Sequence, residues 1–160
     1  GMAVYRKETR IAAPLSEVWE FHSQISGLEA LTPGFMGLSV DRIVGPDGEP
    51  DPAVLTAGSR IEMGLQPVPG GPRQGWIAEI SDREHDGDTA QFVDTMTEGP
   101  FPTWQHTHSF RADGDETVLL DEVAYELPGG SVGETLSPLG VVGFEPMFQY
   151  RHWKTRQLLE

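Results

Sequence analysis

The sequence predicts an α+β fold in which seven strands form an antiparallel sheet, with helices at one end of the sheet and a long C-terminal helix across one face. Three observations support this prediction. One strand-like segment comes first, two short helical segments follow it, and six more strand-like segments are then joined by turn-forming sequences. The final part of the chain repeats apolar residues at helical spacing. Sequential strands with short connections favour an antiparallel meander.

The first three elements follow from the pattern of residues 4–34. Polar side chains occupy alternate positions over residues 4–11, which predicts a strand. Pro14 then opens a helix that runs to about residue 24, since proline suits the first helical turn. Leu28 and Leu31 extend the apolar spacing into a short second helix, and the Thr-Pro-Gly sequence at residues 32–34 ends it.

Six further strands are predicted at residues 38–44, 60–65, 74–83, 89–97, 103–111 and 117–127. Residues 66–72 read Gln-Pro-Val-Pro-Gly-Gly-Pro, which is too rich in proline and glycine for regular structure. We expect this segment to be a surface loop placed to act as a lid. The last hairpin is expected to turn at the Asp-Gly-Asp sequence of residues 113–115.

The C-terminal helix is predicted to start at Pro146, after a Gly-rich connection and a short helical turn at residues 137–138. It is expected to end near Leu159. Its apolar stripe consists of Phe144, Met147, Phe148, Leu158 and Leu159.

Arg151 falls in the middle of that stripe, as does Thr155. An arginine that faces a core needs an anionic or strongly accepting partner, because leaving it unpaired is costly. We therefore expect Arg151 to be buried and paired with Asp94 or Asp121. Glu62 and a ligand carboxylate are the other candidate partners.

The strand at residues 103–111 has one bulky face, which is expected to point inward. The residues of this face are Trp104, His106, His108 and Phe110. A turn of two or four residues before the next strand would place Asp121 opposite His106 or His108, with Tyr125 on the same inner face. A three-residue bulged turn would place Glu122 there instead.

The preceding strand is expected to add Phe92, Asp94 and Met96 to the inner face, with Asp94 beside His106. Together these strands suggest a polar group of histidines and carboxylates within an otherwise apolar pocket. The candidates for acid–base catalysis are His106, His108, Asp94 and Asp121, with an aspartate fixing the tautomer of a proton-transferring histidine. The candidates for ligand contact are Trp76, Met96, Trp104, His106, His108, Tyr125, Phe148 and Arg151.

The His-x-His sequence beside a carboxylate also fits a site for Zn or Fe. The same spacing occurs around many histidines that bind no metal, and no third histidine is placed nearby by the sequence pattern. We therefore expect a hydrogen-bonded network, with no metal and no other cofactor. His22, on the apolar stripe of the first helix, is expected to be a core histidine.

The amino-acid composition limits the kinds of partner that the protein is expected to have. The formal net charge of −14 repels phosphate backbones and anionic lipid heads, so we expect no nucleic-acid partner. No apolar run approaches the roughly 20 residues that a membrane span requires. Cysteine is absent, which excludes disulfides and thiolate sites. We expect one cytoplasmic domain over residues 1–160, able to act alone or as a homodimer, with Gly1 left over from an expression tag.

Three segments of the sequence resemble the START and birch-pollen-allergen superfamily, also called SRPBCC. They are Pro-Leu-Ser-Glu-Val-Trp-Glu-Phe at residues 14–21, Glu-Gly-Pro-Phe and Trp-Gln-His-Thr-His-Ser-Phe within residues 98–110, and Phe-Gln-Tyr-Arg-His at residues 148–152. Within the superfamily, the sequence is similar to prokaryotic members called polyketide cyclase/dehydrase or cell-division-inhibitor-like proteins. The resemblance implies a helix-grip fold with a cavity between the sheet and the last helix.

The resemblance implies a function of binding or carrying a small, largely hydrophobic molecule, such as a lipid, polyketide, isoprenoid or aromatic compound. The alternative is a cyclase, dehydratase or isomerase that acts on such a ligand through His106, His108, Asp94 and Tyr125. A third hypothesis is a protein-interaction module whose cavity is filled by side chains.

Overall fold

A computed structural model describes residues 2–136 and 140–160. Its centre is a seven-stranded antiparallel sheet with strand order β1-β7-β6-β5-β4-β3-β2, which confirms the predicted helix-grip architecture. The strands are β1 (Ala3–Ile11), β2 (Ser39–Val44), β3 (Arg60–Leu65), β4 (Gln74–Asp86), β5 (Thr89–Glu98), β6 (Thr103–Asp113) and β7 (Glu116–Glu126).

Two short helices follow β1, as predicted. They are α1 (Leu15–His22) and α2 (Ile25–Leu31), and a 3₁₀ turn, Gly34–Met36, comes next. The Pro14 carbonyl accepts the first hydrogen bonds of α1, which a proline at the start of a helix leaves undisturbed. Gly27 is required where the two helices meet, because a Cβ atom there would lie 2.3 Å from the Phe21 carbonyl oxygen.

The turn between β6 and β7 decides which face of β7 points inward. Asp113 pairs with Glu116, so only Gly114 and Asp115 form the loop. Gly114 adopts φ +62°, which glycine reaches without strain. The short turn places Asp121 directly across from His108, whereas Glu122 lies on the other face.

The last part of the chain differs from the prediction. The segment expected to be an irregular Gly-rich connection contains helix α3 (Gly130–Leu136). The last helix, α4, spans Gly140–Leu159, so Pro146 lies inside it and the predicted start at Pro146 is wrong. The short helical turn expected at residues 137–138 lies outside the described residues.

Packing explains why a helix precedes Pro146. Proline removes one backbone donor and crowds the carbonyl four residues earlier, but the turns before it are held by side-chain contacts. The Phe144 ring packs edge-on against the Tyr125 ring at 4.7 Å, and Glu145 bonds to Tyr5 and Lys7 of β1. Gly140 allows the close approach, since a Cβ atom there would lie 2.6 Å from Tyr125.

The inner face of α4 is also rotated relative to the predicted stripe. Phe148, His152 and Thr155 are completely buried, while Leu158 is 47% exposed. At about 100° per residue, His152 lies about 40° from Phe148 around the helix, whereas Leu158 lies about 80° away. Arg151 is half-buried at the edge of the stripe rather than at its centre.

Two apolar cores flank a polar layer along β6. Phe110 belongs to the core that contains Ile11, Val18 and Trp19, and Trp104 belongs to the core that contains Tyr5 and Phe148. His106 and His108 lie between them on the same strand face, both buried. No helix among the described residues is long and apolar enough to cross a membrane.

Candidate functional site

A cavity of about 620 Å³ lies between the inner face of the sheet and α4. Its wall is mainly apolar and includes Leu31, Met63, Ile80, Trp104 and Phe148. Several lining residues are exposed and therefore mark the rim. They are Phe35, Pro67, Gln74, Gly143 and Pro146. The proline-rich loop at residues 66–72 thus contributes Pro67 to the rim, whereas its role as a lid stays a prediction.

His106 and His108 occupy the polar part of the wall. Both rings point inward, which confirms the prediction from strand alternation. The rings stack on each other with centroids 3.6 Å apart, and Phe92 stacks on the far side of His108 at 3.9 Å. The Phe148 ring of α4 meets His106 edge-on at 5.2 Å.

Asp94 and Asp121 complete a square with the two histidines. His106 Nε2 donates to Asp121 Oδ1 at 2.6 Å, and His108 Nε2 donates to Asp94 Oδ2 at 2.7 Å. Each ring bonds to the diagonal carboxylate and not to the one directly across the sheet. The directly opposite contacts are longer, with His106 Nδ1 3.5 Å from Asp94 Oδ2 and His108 Nδ1 3.4 Å from Asp121 Oδ1.

His152 of α4 extends the square toward the helix. Its Nε2 donates to Asp121 Oδ2 at 2.5 Å, so both oxygens of Asp121 accept a hydrogen bond from a histidine. We call Asp94, Asp121, His106, His108 and His152 the His–Asp cluster. His152 was not predicted as a site residue, and the expectation that no third histidine lies near His106 and His108 is wrong. Its position next to Arg151 on the helix and one turn after Phe148 was a usable signal.

The cluster holds both carboxylates in the ionised form. Burial raises the pKa of Asp121, but hydrogen bonds from His106 and His152 and the nearby positive charge outweigh burial and hold it well below its ordinary value. Burial likewise raises the pKa of Asp94, and the charge of His106 with the hydrogen bond from His108 outweighs it. Two buried carboxylates therefore need positive charge close by.

His106 has a carboxylate oxygen beside each of its ring nitrogens, 3.5 Å from Nδ1 and 2.6 Å from Nε2. Burial, followed by the charge of His106, lowers the pKa of His108 to about 4, so His108 is neutral at pH 7. His108 Nδ1 and His152 Nδ1 are buried and have no hydrogen-bond partner among the described residues.

Arg151 does not form the predicted ion pair. It lines the cavity, but among the described residues no carboxylate oxygen lies within ion-pair distance, and its Nε is buried without a partner. The guanidinium stands 5.9 Å from the Phe148 ring. The prediction that Asp94 or Asp121 would bind Arg151 is wrong: histidines of β6 and α4 bond to both oxygens of Asp121 and to Oδ2 of Asp94.

The other predicted contact residues divide into two groups. Trp76, Trp104 and Phe148 lie in the cavity wall, and the two indoles meet edge-on at 5.0 Å. Met96 and Tyr125 lie outside the wall and pack within the core around Trp104. These two side chains do not reach the cavity because neighbouring residues cover them. The Phe144 ring lies over Tyr125, and the Met96 sulfur lies against Gly99.

His22 is a wall residue that the sequence placed in the core. It is buried, and its Nδ1 donates to the Val18 carbonyl at 2.8 Å, which fits the core prediction. The ring also borders the cavity. Burial lowers the pKa of His22 to about 3, so it is neutral.

Asp94, His106 and His108 form a group that resembles a three-ligand metal site. One potential ligand atom from each lies within 4.8 Å of the others. However, a metal lies near the plane of each imidazole that binds it, and these two rings stack nearly parallel with an interplanar angle of 26°. Their lone pairs do not converge on one point. The present side-chain arrangement therefore does not fit a metal held by both histidines.

The fold and the cavity together define a helix-grip protein with an internal cavity that is polar at one place. The chain belongs to the family described as polyketide cyclase/dehydrase and lipid transport, whose model matches residues 11–139. A search of curated proteins gave no match.

Solved structures agree on the fold. Truncated norcoclaurine synthase from Thalictrum flavum superposes with a TM-score of 0.68 at 18% identity, covering 99% of this chain and 93% of that one. A START superfamily protein from Mycobacterium smegmatis gives 0.63 at 16% identity, covering 99% of each chain. A protein from Thermus thermophilus gives 0.60 at 20% identity, covering 99% of this chain and 100% of that one.

Proposed function

We propose that residues 1–160 act as one domain that binds or carries a small, largely hydrophobic molecule in the internal cavity. The family and its fold support hydrophobic ligand binding in general. The observation that carries the proposal for this chain is the cavity of about 620 Å³ with a mainly apolar wall. This volume falls within the roughly 300–1,000 Å³ that small-molecule sites occupy. The ligand classes that suit it are lipids, polyketides, isoprenoids and aromatic compounds.

Native mass spectrometry of the purified protein tests this proposal, supported by a variant that fills the cavity. Ala78 is buried in the wall, so Ala78→Leu should reduce the amount of retained ligand. Ala124 lies on β7 outside the wall, and Ala124→Leu is the matched control. Equal ligand retention in both variants, with both folded by circular dichroism, would contradict binding in this cavity.

The alternative function is catalysis by a cyclase, dehydratase or isomerase. The observation that favours it is the hydrogen bond between His108 and Asp94, both of which face the cavity. An aspartate that orients a histidine is a common arrangement for proton transfer. Norcoclaurine synthase, one of the fold relatives, has been seen with dopamine and hydroxybenzaldehyde, so the fold accommodates aromatic ligands in that protein.

Comparing the molecules that co-purify with two forms of the protein tests catalysis. Asp94→Asn should leave the cavity in place while removing the carboxylate that orients His108. If the protein is an enzyme, the variant should retain the substrate, which would differ from the wild-type ligand by an isomerisation or by one water. Identical ligands in both forms would favour simple binding.

We also propose that the protein works in the cytoplasm, without nucleic acid, either alone or as a homodimer. The net charge of −14 supports the exclusion of phosphate-rich partners. Sedimentation velocity checks the oligomeric state, and a gel-shift assay at low salt checks nucleic-acid binding.

A further inference from the structure

The cavity wall contains few charged groups, and they differ in whether they have a bonding partner. Among the described residues, the wall contains one carboxylate, Asp94, and one arginine, Arg151. The other titratable groups are His22, His106 and His108. Asp94 accepts a hydrogen bond from His108, whereas Arg151 Nε has no hydrogen-bond partner among these groups.

Both carboxylates of the His–Asp cluster accept hydrogen bonds from histidines. Asp121 accepts from His106 with one oxygen and from His152 with the other. Asp94 accepts from His108 and faces His106 with the same oxygen. No described side chain places a carboxylate oxygen within ion-pair distance of the guanidinium. A half-buried cation with a buried, unpartnered Nε is unfavourable unless a further group compensates it.

The geometry points to a ligand that carries a carboxylate, which Arg151 binds while the apolar remainder lies along the cavity toward the rim. This inference rests on the proposed function and names its ligand class, an amphipathic monocarboxylic acid. A guanidinium offers a planar pair of N–H donors that matches a carboxylate. One arginine close to Asp94 provides too little positive charge for a phosphate dianion.

The cavity supports the same orientation of the ligand. The Phe148 side chain packs beside both Arg151 and His106, so the polar groups gather at this part of α4. The exposed lining residues Gly143 and Pro146 lie earlier on the same helix. A carboxylate at Arg151 would therefore be deep, and the apolar chain would extend toward the rim.

Fluorescence titration with parinaric acid and its methyl ester tests the inference, because the two probes differ only in the head group. The wild type should bind the acid at least about 10-fold more tightly than the ester. Arg151→Met should weaken acid binding by about 10- to 100-fold and leave ester binding unchanged. Arg151→Lys should retain part of the preference because it keeps the charge.

Arg156→Met is the matched control. Arg156 is a half-buried arginine on the same helix, bonds to Thr9 and does not line the cavity. The Arg156→Met variant should bind both probes as the wild type does. Thermal melts of all variants identify any that fail to fold, in which case Arg151→Lys carries the test.

The outcomes separate this inference from the proposed function. If the wild type binds acid and ester equally, or if Arg151→Met keeps the preference for the acid, the carboxylate assignment is overturned while the hydrophobic cavity stands. If the wild type binds neither probe, both the assignment and the proposed binding of apolar chains are contradicted.

Discussion

Two carboxylates connect α4 to the sheet, and they do so in opposite surroundings. Asp121 belongs to the sheet, is 2% exposed and accepts a hydrogen bond from His152 of the helix. Glu145 belongs to the helix, has a side chain that is 40% exposed, and accepts from Tyr5 and Lys7 of β1. The same kind of bond is therefore made once in the interior and once at the surface.

The surroundings decide what each connection contributes. Hydrogen bonds from Lys7 and then Tyr5 lower the pKa of Glu145 to about 2, but water and salt screen this pair. Burial and the bond to Glu145 raise the pKa of Tyr5. At Asp121, no water replaces a lost partner, so removing one group leaves the others unsatisfied. We therefore expect the interior connection at Asp121 to contribute more to the free energy of unfolding than the surface connection at Glu145.

The largest effect is expected from Asp121→Asn. The amide cannot accept from both His106 and His152 as the carboxylate does, so one of the two buried histidine donors loses its partner. We expect a loss of about 3–5 kcal/mol in the free energy of unfolding, measured by urea denaturation. Asp113→Asn, which breaks an exposed pair with Arg10, should change the free energy of unfolding little, because water and salt screen this pair. Equal losses would show that burial does not distinguish the two sites.

Acid should lower the stability through two buried histidines, His108 and His22, before it affects the surface pair. The pKa values of His108 and His22 are lowered to about 4 and about 3, so their contribution to stability is complete above the unfolded value of about 6.5. It is lost as the pH falls toward these values, because the unfolded chain binds protons first. We expect a loss of roughly 3 kcal/mol from His108 and a larger loss from His22, whose pKa is lowered further.

The two aspartates of the cluster and Glu145 also have lowered pKa values, so their contributions are present above about pH 4 and are lost only at lower pH. Urea denaturation at a series of pH values measures the difference. His85→Asn, at an exposed position, should follow the wild-type profile. A wild-type profile that stays flat between about pH 6.5 and 4 would contradict neutral buried histidines.

A smaller effect is expected from Glu145→Gln. The substitution removes the charge that Lys7 contacts at 2.8 Å but keeps an acceptor for Tyr5. We expect a loss below about 1 kcal/mol at low salt that decreases in about 1 M salt, where the Debye length is about 3 Å. A loss that is large and independent of salt would show that the Glu145–Lys7 pair behaves like the buried Asp121–His152 pair.

The smallest effect is expected from metal chelation. Because the stacked rings of His106 and His108 do not direct their lone pairs to a common point, EDTA should not change the melting temperature. Stoichiometric Zn or Fe, found by elemental analysis after purification without chelator, would show that the cluster rearranges to bind metal.

Strand alternation was the most informative feature of the sequence. It placed His106, His108 and Asp94 on the inner face, and the two-residue turn placed Asp121 with them. Alternation determines on which face of the sheet a strand residue lies, but it does not determine to which carboxylate each imidazole bonds. The diagonal bonds depend on ring rotation and stacking, which become defined only when neighbouring strands are packed.

The last helix was harder to predict because its rotation depends on the surface that it covers. Arg151 and His152 are separated by about 100° around the axis, and a small rotation exchanges which of them faces the sheet. Pro146 carried a strong start signal, yet contacts of Phe144 and Glu145 extended the helix to Gly140. Contacts between distant parts of the chain thus outweighed local sequence preference.

The pairing of β1 with β7 has a consequence for the order of folding. The strands from β2 to β7 form successive hairpins, but β1 can pair only after β7 has been made, as in the partners Lys7 and Asp121. The helix that supplies His152 comes later still. The His–Asp cluster is complete only when the central strands, β7 and the last helix have come together. Such long-range closure is typical of domains that fold slowly.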